Sequence, residues 1–488
     1  MITQAFRAFA LACVVAAASG IASLPGAPAL PAPKVTGPIA ATAPGDPGHD
    51  YPFYASAFDL KARRYIEEEF FIEGAANRYT TPAQETGVVV DGAHPYKTRL
   101  VVRRPAAAAR FNGTVLIEWN NVTAGHDLDI DWFQTHDYLT RSGYVWIGVT
   151  PQRIGVEALR VWSAKRYGTL DVTHGGTIAN DDLSYDIIGQ AAQAVRTPGG
   201  VNVLGGLKPA RIFATGHSQS AGRLGIYVNA IHPLHHVFDA VILHGGGAKV
   251  RTDLDIPVWK ILSETDVQNQ AINRQADTNR FRTWEVAGDS HVDFQFVSYS
   301  RQLSQRDGSP IAPGFTPGGA GRATARGGST PSTPAAAPSG NPGGCDKPPY
   351  SHVPFYQVFD AAIDHLVRWV KDGTLPPTAP PIEVASIGPP AIIARDAAGN
   401  AFGGIRLAAH AVPTAVNTGV NSGPGFCRLN GSYEPFDAAT IAKLYPTHDS
   451  YVANIRRVTQ ANLKAGYILK PEADATIADA EKSVIGVR

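Results

Sequence analysis

A serine, an acid and a histidine met in that order along a chain are enough for acyl transfer, provided the serine is exposed and the histidine can take its proton. Three stretches of this sequence supply them. The stretch 211–223, RIFATGHSQSAGR, brings a β-rich run to Gly216-His217-Ser218-Gln219-Ser220 and then to a helical pattern. Small residues two before and two after a serine let a strand turn sharply into a helix, leaving the hydroxyl exposed on a strained turn. The usual form of this turn has glycine at both flanks, and here Ser220 stands at the second. The frame Ser218-x-Ser220-x-Gly222 would make Ser220 the nucleophile instead. Ser218 is the better candidate because Gly216-His217-Ser218 follows the strand directly.

The acid and the base come next in the chain. Residues 256–262 (IPVWKIL) read as a strand that ends in Ser263-Glu264-Thr265-Asp266. Glu264 and Asp266 both qualify as the third member, and their side chains would point the same way if the strand continued. Asp266 is preferred because it lies further into the loop. The run WEVAGDSH then carries a strand into a small loop ending at His291, the expected position of the base. Of the other histidines, His217 flanks the serine, while His232, His235 and His236 read as surface or packing residues. An oxyanion needs N–H donors. The backbone of Gln219, just after the nucleophile, is one. The second is expected in the stretch 120–122 after TVLIEW, with Asn120 and Asn121 as candidates.

These residues must be held by a scaffold. Strand patterns fall at 97–103, 114–119, 144–149, 211–215, 240–244, 258–262 and 283–286, and helical patterns at 132–142, 182–195 and 221–231. Strands alternating with helices predict a mostly parallel sheet with helices on both faces. Residues 306–344 have almost no large apolar side chains and read as a flexible Gly/Pro-rich insert. A helix resumes over 355–371. The expected organisation is a signal peptide (1–23), a Pro/Ala-rich linker (24–50), an α/β domain (51–381) and a C-terminal extension of that domain (382–488) packed on the core.

The set GHSQSAGR, PVWKILSETDV and WEVAGDSH, with GNAFGGIR, CRLNGSYEPF and LYPTHDSYV in the tail, resembles a bacterial family of α/β-hydrolase-domain proteins. The resemblance runs from about residue 51 to the end. It implies the α/β-hydrolase fold and hydrolysis, with the triad on Ser218, on Glu264 or Asp266, and on His291. It implies no substrate.

The net charge of +1 gives no reason to expect nucleic acid or an anionic membrane as partner. Residues 8–18 form an apolar run too short to span a bilayer and followed by small residues, which reads as a secretory signal and no stable membrane anchor. Removing it takes Cys13 and leaves two cysteines, Cys345 and Cys427, expected to pair in a secreted or periplasmic protein. No H-E-x-x-H, C-x-x-C or phosphate loop is present, so no metal or cofactor is expected. Gly245-Gly246-Gly247 reads as a turn at the site's edge. Asp127, Asp129, Asp131, Asp181 and Asp182 read as solvated loop acids or caps rather than Ca²⁺ ligands. The expectation is a serine hydrolase cleaving a small carboxylic ester through an acyl-enzyme. An acyltransferase on the same triad and an inactive binding protein are the alternatives.

Overall fold

The computed structural model describes residues 30–313 and 344–487, and within them nine strands form one sheet. They are β1 (Lys34–Thr36), β2 (Tyr65–Tyr79), β3 (Val89–Pro105), β4 (Thr114–Trp119), β5 (Val145–Val149), β6 (Arg211–His217), β7 (Ala240–His244), β8 (Val258–Ser263) and β9 (Phe281–Val286). Their spatial order is β1-β2-β3-β5-β4-β6-β7-β8-β9. From β5 to β9 every pairing is parallel, while β1, β2 and β3 join antiparallel. Strands β4, β5, β7 and β8 are buried along their whole length. Burial on both faces is what a parallel sheet under two helical layers requires.

The helices that matter below are α1 (Ile130–Ser142), α2 (Ser184–Arg196), α3 (Gln219–Ile226), α4 (Glu264–Gln270), α5 (Phe294–Asp307), α6 (Phe355–Asp372), α7 (His448–Ala465) and α8 (Lys470–Lys482). Gly143 ends α1 at φ +77° and returns its N–H to Leu139 O, as its place after the helical pattern leads one to expect. Among the described residues no helix is long and apolar enough to cross a membrane.

Three features depart from the sequence reading. Strand β2 was not legible, because Glu67-Glu68-Glu69 interrupts its apolar alternation. Its partner β3 supplies the missing charges. Arg103 Nε donates to Glu67 Oε2 at 2.7 Å, Arg104 Nη2 to Glu68 Oε2 at 2.7 Å, and Arg99 Nη1 to Glu69 Oε1 at 3.2 Å. Second, the segment 24–50 is not all linker. Lys34–Thr36 pairs with β2 and Leu30 is buried, so folded sequence begins well before residue 51. Pro31, Pro33 and Pro38 flank β1 and lie outside its paired residues. Third, residues 306 and 307 belong to a helix and not to the expected insert. Helix α5 runs to Asp307, whose carboxylate accepts from Tyr51 Oη at 2.8 Å and Tyr54 N at 3.0 Å. Residues 314–343 of the expected insert, and the expected signal peptide, lie outside the described residues.

The extension packs against the edge beside β9. Ile405 bridges Val286 in parallel, accepting from Ala287 N at 3.0 Å and donating to Glu285 O at 2.7 Å. Leu262, Val267, Ala287, Ile382, Ile393 and Ala401 share one apolar cluster, which joins β8, α4 and the residue after β9 to the extension. Cys345 and Cys427 form a disulfide that closes a separation of 82 residues. Closing a loop of that length lowers the entropy of the unfolded chain. The double variant C345S/C427S is therefore expected to lose about 2–5 kcal/mol of stability in urea unfolding at fixed pH. An unchanged midpoint would mean that the extension is held by its packing alone.

Candidate active site

Strand β6 enters the site and α3 leaves it, with Ser218 between them at φ +61°, ψ −114°. Such a backbone costs about 1–3 kcal/mol and persists only where neighbours over-determine it. Here Ser218 N donates to His244 O at 2.8 Å, and Ser218 O accepts from Gly222 N at 3.0 Å. A Cβ on Gly216 would lie 3.0 Å from Ser220 Cβ, so both flanks must be small. That explains the serine where glycine is usual. Ser220 itself is fully buried and its hydroxyl has no partner among the described residues. It faces the protein rather than a ligand. Gly246 closes the other side, since a Cβ there would come 2.9 Å from Ser218 O. Gly245-Gly246-Gly247 is thus packed against the serine turn.

The two candidate acids go to different partners. Strand β8 does not continue past Ser263. Ser263 is the N-cap of α4, and Asp266, three residues on, completes a reciprocal capping box with it. Asp266 Oδ2 accepts from Ser263 N at 2.8 Å and Ser263 Oγ at 2.7 Å. The other oxygen, Oδ1, lies 2.5 Å from His291 Nδ1. A carboxylate only accepts, so Nδ1 carries the hydrogen and Nε2 is left with its lone pair free. Burial alone would raise the Asp266 carboxyl, but His291 and Ser263 outweigh it and hold the group below its ordinary range.

Glu264 turns the other way, because successive helical residues are about 100° apart. Its Oε2 accepts from Gly288 N at 2.8 Å and its Oε1 from Gly419 N at 3.0 Å, and Arg395 pairs with the same carboxylate. It therefore ties the loop before His291 to the extension.

The histidine loop is fixed at further points. Val292 N donates to Leu429 O at 2.9 Å, and Ser351 Oγ to Gly288 O at 2.7 Å. Gly288 sits at φ +79°, where a Cβ would lie 2.3 Å from His410 Nδ1. The ring of His291 stands 4.2 Å from that of His217, which stands 4.3 Å from that of His244. Burial, reinforced by His291 and His244, holds His217 well below its ordinary value and so neutral. His244 Nδ1 is 2.6 Å from Asp131 Oδ1, and Thr215 donates to the other Asp131 oxygen.

The sequence reading, which places Asp131 among loop acids or caps, does not reveal this second His–Asp pair. Asp127 and Asp129 are likewise not solvated, being buried partners of Arg99 and Arg103. Asp181 accepts from Arg153 N at 2.7 Å.

The stretch after β4 does not offer the expected donors at Asn120 and Asn121. Asn120 N donates to Val149 O at 3.1 Å, and Asn121 N to Leu128 O at 3.0 Å. Asn121 braces the turn instead, its Nδ2 donating to His217 O at 2.9 Å.

Two residues on either side of His291 in the chain stand two buried acids, Asp289 and Asp293. Asp293 Oδ1 accepts from Phe296 N at 2.7 Å and Gln134 Nε2 at 2.9 Å, while Oδ2 has no partner among the described residues. Burial pushes Asp293 up to about 6. Its folded pKa thus lies above the ordinary value, so the unfolded chain gives up the proton first as pH rises. Stability falls between about pH 4 and 6 and stays reduced above. Asp293→Asn keeps the Oδ1 acceptor and removes the charge. It is expected to raise the unfolding free energy measured in urea at pH 7.5 by on the order of 1–3 kcal/mol, with little change at pH 4. An equal effect at both values would assign the change to packing rather than to the proton.

A family model described as alpha/beta hydrolase domain matches residues 35–478. No curated protein matches the chain. Among solved structures, an α/β serine hydrolase without lid from Xanthomonas campestris is 13% identical, covering 48% of this chain and 91% of its own, with TM-score 0.27. A glucuronoyl esterase from Solibacter usitatus is 10% identical, covering 50% and 82%, with TM-score 0.26. With its sheet order and with a family match over most of its length, the chain belongs to the alpha/beta hydrolase domain family.

Proposed function

We propose that the protein is a secreted or periplasmic serine hydrolase that cleaves a carboxylic ester, with Ser218 as nucleophile, His291 as base and Asp266 as the acid that orients it. The observation that carries this reading is the 2.5 Å contact from His291 Nδ1 to an Asp266 carboxylate fixed on its other side by Ser263. That contact assigns the tautomer that a general base needs. The Ser218 backbone, strained at the end of a buried strand, is the second support.

In this reading Ser218 Oγ attacks the ester carbonyl while His291 Nε2 takes its proton. The tetrahedral oxyanion forms against the Gln219 N–H. The second donor moves one residue along from Asn121 to Val122, which is buried and whose N–H has no partner among the described residues. His291 then protonates the departing alcohol. Water, deprotonated by His291, releases the acid and restores Ser218. Asp266 stays ionised throughout and stabilises the imidazolium. The Cys345–Cys427 disulfide supports export to an oxidising compartment.

The test is hydrolysis of short- and medium-chain p-nitrophenyl esters by the mature protein. Parent activity should be lost in Ser218→Ala, together with labelling by a fluorophosphonate probe. Asp266→Asn should lower kcat by about 10³–10⁴-fold with the fold intact. Glu264→Gln should chiefly lower stability and retain hydrolysis wherever it is folded. Activity that survives Ser218→Ala would sink the reading. Loss with Glu264→Gln but not with Asp266→Asn would overturn the choice of acid.

A further inference from the structure

The end of the sheet opposite Ser218 carries a second cluster of chemistry-bearing side chains. His232 opens the short helix His232–His235, and His236 caps its far end at φ +49°. Positions four apart on a helical turn project to the same side. Asp255 reaches over from the segment that enters β8. His232 Nε2 lies 3.1 Å from Asp255 Oδ1, and His236 Nδ1 lies 3.6 Å from Asp255 Oδ2. One donor atom from each of the three falls within 4.8 Å of the other two. A cavity of about 300 Å³ opens over them, lined also by Arg280 and Asp239.

We propose that His232, His236 and Asp255 form a binding site for a divalent transition-metal ion, zinc in the first instance, which ties the helix His232–His235 to the segment entering β8. Ligands about 2.1 Å from a tetrahedral zinc ion stand about 3.4 Å apart, and the two measured spacings fall on either side of that value. Two imidazoles and one carboxylate are a donor set suited to zinc, and the cavity leaves the fourth position to water. The nearest competing acid, Asp239, is committed to Arg196 at 2.7 Å and to Ile212 N. Each histidine alone reads as packing or surface, and only the arrival of Asp255 from a different loop makes a site. Strand β6 alone separates the cluster from Ser218 by about 20 Å, so the ion would act on the scaffold and not on the reacting atoms.

The experiment is titration of ZnCl₂ into the tag-free, EDTA-treated mature protein by calorimetry, with CoCl₂ added in parallel for the visible absorption of tetrahedral cobalt. One saturable site is expected, with a rise in melting temperature on adding zinc. His236→Ala and Asp255→Asn alter largely exposed side chains, and their unchanged melting without metal establishes folding. Each should weaken zinc by at least about tenfold, since losing even an outer partner costs that much. Absence of saturable binding would overturn the proposal. So would binding that both variants keep and His174→Ala removes, because the ion would then sit on the His94–His174 pair, whose Nδ1 atoms are 3.1 Å apart.

Discussion

His291 stands on a loop, and a loop alone cannot keep an imidazole within hydrogen-bond reach of a carboxylate 25 residues earlier in the chain. The rest of the candidate site depends on how that loop is held. Strand β9 brings the chain up. Glu264 then accepts the Gly288 N–H, Ser351 Oγ donates to the Gly288 carbonyl, and Leu429 O accepts from Val292. Two of these anchors, Ser351 and Leu429, come from the chain after residue 344, and Glu264 is itself pinned by Arg395 and Gly419. The extension is therefore part of the site's framework, although none of its residues touches Ser218 through a hydrogen bond in the described residues. The disulfide fastens the segment that leads to Ser351 onto the segment that leads to Leu429.

The same economy of position explains why two acids two residues apart do different work. Ser263 stops the strand and starts a helix, so Glu264 and Asp266 leave the first turn about 200° apart. One faces the extension and the other faces His291. Had β8 run on by three residues, both would have shared a face, and neither would have held the loop and the imidazole at once.

Much of this was legible in the sequence, for identifiable reasons. Ser218 and His291 each follow a short apolar run that forms a buried strand, and a strand end followed by small residues is a local pattern. The sequence reading prefers Asp266 for its place further into the loop and keeps Glu264 as the alternative. Ser263-Glu264-Thr265-Asp266 is itself a capping box, the S-x-x-D pattern that starts a helix, and it accounts for the two side chains leaving in different directions. Strand β2 and the Asp131–His244 pair were hidden for another reason. Their partners are remote in sequence: Arg99 and Arg103 for the glutamates, and a residue 113 positions away for Asp131. A charged run reads as solvated until its countercharges are known, and those are set by tertiary structure.

The buried acids of the site show how far environment separates groups of one chemistry. Asp266, Asp289, Asp293 and Glu118 are all almost wholly removed from water. Burial raises every one of them, and Glu118 and Asp289 stay well above their ordinary range, with Asp131 and Asp293 respectively adding to the effect. Asp266 alone is carried below it, because it faces an imidazole and a hydroxyl instead of another acid. A carboxylate that must stay ionised beside a base needs donors that outweigh its own desolvation. Asp289, two residues before His291, is instead raised by burial and by Asp293 beside it, so its ionisation is opposed where that of Asp266 is favoured.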